Sequence, residues 1–170
     1  MSWDNGDGLH LKFGTEEATV TAGGEIQPFG DQMVISFNLD HTDITSASAT
    51  ILMDNVVLPD NVQIQKIVLT VEEAFDSAGD ALVLNMGTID LDRTSNGSGT
   101  ALINAEVQAD IDAIGDIVTY TLASAGASGA GASVGTIITS PKLITVDYDT
   151  AAPTAGHAKV QIFVHQETVP

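Results

Sequence analysis

Apolar residues recur at every second position through most of this chain, which is the period of a half-buried strand. One such run, Ile67 to Phe75, is followed by a Ser77-Ala78-Gly79-Asp80 turn and a second run from Leu82 to Gly87. Two alternating runs joined by a short polar turn predict a hairpin in an antiparallel sheet. Just upstream the phase slips. Val62 and Ile64 share one parity, whereas Ile67, Leu69 and Val71 share the other. A single extra residue near Gln65-Lys66, as a β-bulge or a bend, reconciles the two.

The same reading extends to both ends. Residues 1–8 are polar and turn-forming, an N-terminal arm, and Leu9, Leu11 and Phe13 then alternate with His10 and Lys12 as a first short strand. Gly23-Gly24 marks a turn. Val34 to Leu39 is a strand with Ile35, Phe37 and Leu39 on one face, and Ala49 to Leu58 is another, closed by Pro59-Asp60-Asn61. Asn96-Gly97-Ser98-Gly99 is a loop by composition. Ile117 to Leu122 returns to strand. Two more strands close the chain, one with Ile144, Val146 and Tyr148 in phase and one with Val160, Ile162 and Val164, separated by a Pro153-Thr154-Ala155-Gly156 turn.

Two segments need separate treatment. Ile103 to Ile114 alternates as a strand would, yet Ile103, Val107, Ile111 and Ile114 also fall on one helical face. Its alanines with Glu106 and Gln108 favour a short helix over 103–114, with Gly115 closing it. Residues 124–133 are almost wholly Ser, Ala and Gly, too small to offset their ordering entropy, and predict a flexible loop. The expected fold is mainly β: an antiparallel β-sandwich of jelly-roll type carrying one short helix. The expected organisation is the arm, 1–8, and one sandwich domain, 9–170.

Charge narrows the class of partner. The chain has 170 residues, 23 of them acidic and 5 basic, for a formal charge of −18. Nucleic acid is disfavoured, because phosphate contacts need Lys and Arg. An anionic membrane surface is disfavoured for the same reason, and no apolar run approaches the roughly 20 residues that span a bilayer. The acids are scattered, as on a solvated, self-repelling surface. Without cysteine there are neither disulfides nor thiolate sites, and residues 1–8 lack the basic and apolar regions of a signal peptide. The expectation is synthesis and retention in a cytoplasm unless an assembly carries the protein out.

Candidate chemistry is sparse. His10, His41, His157 and His165 are far apart in the chain with no ligand spacing. Asp4-Asn5-Gly6-Asp7-Gly8 resembles a calcium loop superficially, but glycines occupy its third and fifth positions and Thr15 its twelfth. The pairs Asp90/Asp92 and Asp147/Asp149 each share a strand face, a placement for a hard cation or, more commonly, for plain solvation. There is no G-x-S-x-G and no P-loop, and the Gly-rich stretch has no Lys to meet phosphate. Neither enzyme activity nor a cofactor is expected.

One chain-long resemblance remains. It is carried by Leu58-Pro59-Asp60-Asn61-Val62-Gln63-Ile64, by Phe75-Asp76-Ser77-Ala78-Gly79-Asp80 with Leu84-Asn85-Met86-Gly87, and by Trp3-Asp4-Asn5-Gly6-Asp7-Gly8-Leu9 with Phe13-Gly14-Thr15. The ending Pro141 to Ala151 with Thr154-Ala155-Gly156 adds to it. In these segments the chain resembles tailed-bacteriophage virion structural proteins, in particular the small head decoration or cement proteins. The resemblance implies a homotrimer on the outer surface of a capsid, with the major capsid protein as partner. Other virion parts (tail, fibre or host-adhesion component) and a carbohydrate-binding jelly-roll module are the alternatives, though sparse aromatics weigh against sugar stacking. Trp3, Leu9, Leu11 and Phe13 form the candidate interface, a segment ordered by a neighbour or, equally, a Trp folded onto its own sheet.

Overall fold

Fourteen strands and two short 3₁₀ turns account for the ordered elements of the computed structural model, which describes residues 2–4, 10–12, 25–29, 32–47, 50–51, 56–93, 98–122 and 129–166. In chain order the strands are β1 (Ser2–Asp4), β2 (His10–Lys12), β3 (Glu25–Phe29), β4 (Gln32–Asp40), β5 (Thr50–Ile51), β6 (Val57–Leu58) and β7 (Val62–Ser77). There follow β8 (Leu82–Asp90), β9 (Ser98–Val107), β10 (Ile117–Thr121), β11 (Gly129–Ala130), β12 (Ile137–Ile138), β13 (Lys142–Thr150) and β14 (Pro153–Gln166).

Twelve of them form two six-stranded antiparallel sheets. The front sheet runs β10-β7-β14-β4-β3, with β12 also on β7; the back sheet runs β11-β9-β8-β13-β5, with β6 also on β13. From β7 onward every connection crosses between the sheets except β8 to β9. β1 and β2 pair only with each other among the described residues.

The alternation seen in the sequence decides what faces inward. Ile35, Phe37 and Leu39 of β4, Ile67, Leu69 and Val71 of β7, and Val160, Ile162 and Val164 of β14 are all buried. Opposite them the back sheet contributes Leu82, Leu84 and Met86 of β8 with Ile144 and Val146 of β13. Each such side chain contributes about 1.5–3 kcal/mol on leaving water. The predicted slip is a bulge. Phe163 pairs with Lys66 and Val164 with Ile64, so Gln65 is the unpaired extra residue, and it is exposed. Val62 and Ile64 therefore stay in the core with Ile67.

The β7–β8 unit is not a hairpin. β7 lies between β14 and β10, β8 between β13 and β9, and the Ala78-Gly79-Asp80 turn carries the chain across from one layer to the other. Alternation is satisfied either way, because both strands bury one face in the same core. Similarly, the Pro153–Gly156 segment opens β14, with register shifts against β7, instead of forming a separate turn.

The expected helix over 103–114 is also replaced. Residues 98–107 are strand β9, followed by a 3₁₀ turn over Gln108–Asp110 and irregular backbone. Ile103 and Ile111 are buried while Val107 and Ile114 are exposed, a pattern that one helical face does not produce. Helix propensity favours Ala and Glu by only tenths of a kcal/mol per residue, less than a sheet ladder and a buried Ile103 supply. β9 has its own bulge. Ile103 pairs with Met86 and Glu106 with Leu84, leaving two residues of β9 opposite Asn85. Ala105 takes the left-handed conformation there (φ 56), and its N–H donates to Asn85 Oδ1 at 2.9 Å. Where β9 begins, the Ser98–Gly99 backbone lies directly on Gly87, in space that any Cβ would fill. Part of the Ser/Ala/Gly stretch belongs to this sheet too: Gly129 and Ala130 pair with Asn104 and Ile103, while 123–128 lie outside the described residues.

Candidate interaction surface

Pleating gives the front sheet an outer face whose rows the registers define. Lys159 lies between Thr70 and Asn38, Gln161 between Val68 and Ser36, Phe163 between Lys66 and Val34, and His165 between Gln63 and Gln32. Ile117 and Thr119 of β10 extend the first two rows, and Ile137 of β12 sits beside Gln63. None of these residues is acidic, although the edge strand β3 sets Glu25 opposite Ser36. Segments 32–39, 62–71, 117–122 and 159–166 contain no Asp or Glu, although 23 of 170 residues are acidic, roughly one in seven along the chain.

The bulge at Gln65 shapes this face. By the parity of Val62 and Ile64, position 66 belongs in the core; the extra residue turns Lys66 outward instead. Its ammonium sits 4.4 Å from the centroid of the Phe163 ring, a cation–π contact of about 0.5–1 kcal/mol at a partly exposed site. The β10 and β12 side of the face is apolar. Ile117 is 66% exposed and Ile137 50%, with Ile114 and Leu122 more than half exposed nearby in the chain. Large exposed aliphatics gathered on one side of a sheet are a feature of surfaces that meet other proteins.

One end of the sheet has the opposite character. Asp40 caps the 3₁₀ turn after β4 and Asp43 ends it, while Glu72 and Glu73 lie on β7. Asp40 Oδ1 accepts from the Thr42 N–H at 2.9 Å, and Asp43 Oδ2 accepts from the Asp40 N–H at 3.0 Å. The Thr42 N–H holds the Asp40 carboxyl below its ordinary range; partial burial opposes this, while the Thr42 hydroxyl, His41 and His157 reinforce it. His157 stands between two acids, 3.5 Å from Asp40 and 3.4 Å from Glu72, and His41 lies 3.2 Å from Asp40. Sequence spacing had separated these histidines; the β14–β4 pairing, with His157 across from Asp40, brings them together.

The interior holds the most perturbed acids. Burial pushes the Glu106 carboxyl up to about 7, with the Tyr120 hydroxyl favouring its charged form and Asp110 disfavouring it. Burial and the Glu106 charge push the Tyr120 phenol far up as well. Both side chains are buried, out of reach of a substrate at the surface. On the back sheet burial raises Asp147, countered by Asn85 and assisted by Asp149. The Asn85 amide donates to Asp149 Oδ2 at 2.9 Å, and Lys142 pairs with Asp90, so both carboxylate pairs noted in the sequence have protein partners. Among the described residues no group of three or more His, Asp or Glu is arranged to hold a metal.

Of the candidate interface residues, Trp3 and Leu11 lie directly opposite each other in the β1–β2 ladder, and Leu9 and Phe13 lie outside the described residues. No described pairing joins that ladder to the front sheet. The acid-poor face was missed by the sequence reading. Its signal was present as four separate uncharged or basic segments, but only the strand order makes them neighbours.

No established protein family matches this chain, and no curated protein is detectably similar to it in sequence. Among solved structures, a chain of the capsid of Ralstonia phage GP4 superimposes with a TM-score of 0.54 at 17% identity, over 82% of this chain and 87% of that one. This is a likeness of fold. A chain of the Cyanophage Pam1 capsid asymmetric unit aligns over 98% of this chain and 99% of that one, at 18% identity and a TM-score of 0.40, too low to bear on the argument.

Proposed function

We propose that this chain is a non-enzymatic structural protein of a tailed-phage particle, bound to the outer surface of the capsid as a decoration or cement protein. The observation that carries the reading is the shared fold with a chain of the Ralstonia phage GP4 capsid, nearly complete in both lengths. The sequence resemblance to head decoration proteins points the same way. The alternation of strands between sheets, with β4, β14, β7 and β10 in one and β5, β13, β8 and β9 in the other, supports reading the sandwich as a jelly roll.

In this role the major capsid protein is the partner and a homotrimer the assembled form. No residue acts on a substrate; the chain works by holding neighbouring shell subunits in register. Its charge of −18 suits that task, since it repels packaged DNA and keeps crowded particles apart. Electron microscopy of the assembled particle is the test. The expected result is density for this chain on the shell at three-fold or quasi-three-fold positions. Density confined to the tail, or none on the particle, overturns the proposal.

A further inference from the structure

We propose that the outer face of the front sheet seats a second copy of this chain in a head-to-tail contact, with the neighbour presenting the acidic end of its own front sheet. The inference rests on the homotrimeric reading above and names the surface that builds it. Two copies of charge −18 repel wherever their acids meet, and segments 32–39, 62–71, 117–122 and 159–166 of this face carry none; Glu25, opposite Ser36, lies on the edge strand β3. It bears Lys66 and Lys159, two of the chain's five cations. The complementary surface is on the same molecule, at Asp40, Glu72 and Glu73. A head-to-tail contact sets lysine against carboxylate and closes into a ring when its rotation permits, as the homotrimeric reading requires.

The size of the patch fixes the expected strength. Four strands about 4.8 Å apart and seven residues rising about 3.4 Å each cover on the order of 400 Å² in projection. That is the small end for a specific interface, so the association is concentration-dependent and salt-sensitive, with Ile117 and Ile137 adding apolar area at the rim.

Sedimentation velocity of the full chain, from micromolar to near-millimolar concentration at about 50 mM and about 500 mM salt, is the experiment. The expected result is a multimer at low salt that weakens at least about tenfold at high salt, as charge pairs are screened. Val68→Asp adds an acid to the face without touching the core, and Lys66→Glu with Lys159→Glu reverses its charge; each is expected to leave the melting temperature nearly unchanged and the chain monomeric. Adding Glu72→Lys and Glu73→Lys to the lysine reversals is expected to restore association. A wild-type monomer under all conditions, or multimers indifferent to Val68→Asp, overturns the inference. A monomer that still decorates particles fells this contact and leaves the virion role standing; a multimer through this face that is absent from particles does the reverse.

Discussion

Ser77 Oγ donates a 2.6 Å hydrogen bond to Gln108 Oε1 in the interior, tying the corner between β7 and β8 to the turn that ends β9. The same hydroxyl accepts from the Ala81 and Leu82 N–H groups at 3.1 and 3.0 Å, so one side chain satisfies the backbone where the chain changes sheets. Ser77→Ala removes the acceptor of the Ala81 N–H and leaves Leu82 N–H and Gln108 Oε1 only their longer mutual bond of 3.3 Å. A loss of about 1–3 kcal/mol in urea denaturation is expected. A change under about 0.5 kcal/mol would show that the corner holds without it.

Deleting Gln65 removes the extra residue that reconciles two phases of β7. Either Val62 and Ile64 turn to solvent or Lys66 enters the core, and both are costly. Gln65→Ala keeps the bulge and removes only an exposed amide. Equilibrium unfolding should therefore show a loss of several kcal/mol for the deletion and less than about 0.5 kcal/mol for the substitution. Equal effects would mean that the bulge has no structural role.

Glu106 makes stability depend on pH in an unusual direction. Its carboxyl ordinarily titrates near 4.5 and is raised to about 7 in the folded chain. Between those values the folded chain keeps a proton that the unfolded chain has released, so stability falls as pH rises. The contribution is complete below about 4.5 and lost above about 7, on the order of 2–3 kcal/mol. Melting curves from pH 4.5 to 7.5 should fall less steeply with pH for Glu106→Gln than for wild type. Parallel profiles for the two proteins would exclude Glu106 as the source.

Gly156 occupies a backbone conformation (φ 129) that side chains rarely adopt, and a Cβ there would overlap the Phe75 ring. Phe75 is fully buried, so the ring has nowhere to retreat. Gly156→Ala is expected to cost at least about 2 kcal/mol by denaturant titration. Gly79→Ala is the contrast, because φ is also positive (72) but a Cβ meets nothing within 4 Å, and its cost should be about 1 kcal/mol.

How far each feature could be read depends on how local its cause is. The inward sets on β4, β7, β13 and β14 were legible because the two-residue period follows from the pleat of each strand alone. The Gln65 bulge was legible for the same reason, as a break in that period. At 103–107 the signal was ambiguous, because alternation and a helical face coincided and alanine content tilted the choice. Pairing with β8 decided it. The β9 bulge that buries Glu106 in place of Ala105 depends on Asn85, twenty residues away.

Strand period and residue totals were enough to read an antiparallel β-sandwich of strongly acidic composition, the inward sets of its main strands, and no familiar catalytic signature beside them. Which strands are neighbours was set by packing between distant segments. A two-residue period is satisfied by a hairpin and by a crossing between layers alike, so β7 and β8 had to be placed by their other partners. The acid-poor face follows from that placement. Its four segments are distant in the chain, and hydrogen-bonded register alone sets Lys66 beside Phe163 and Val68 beside Gln161.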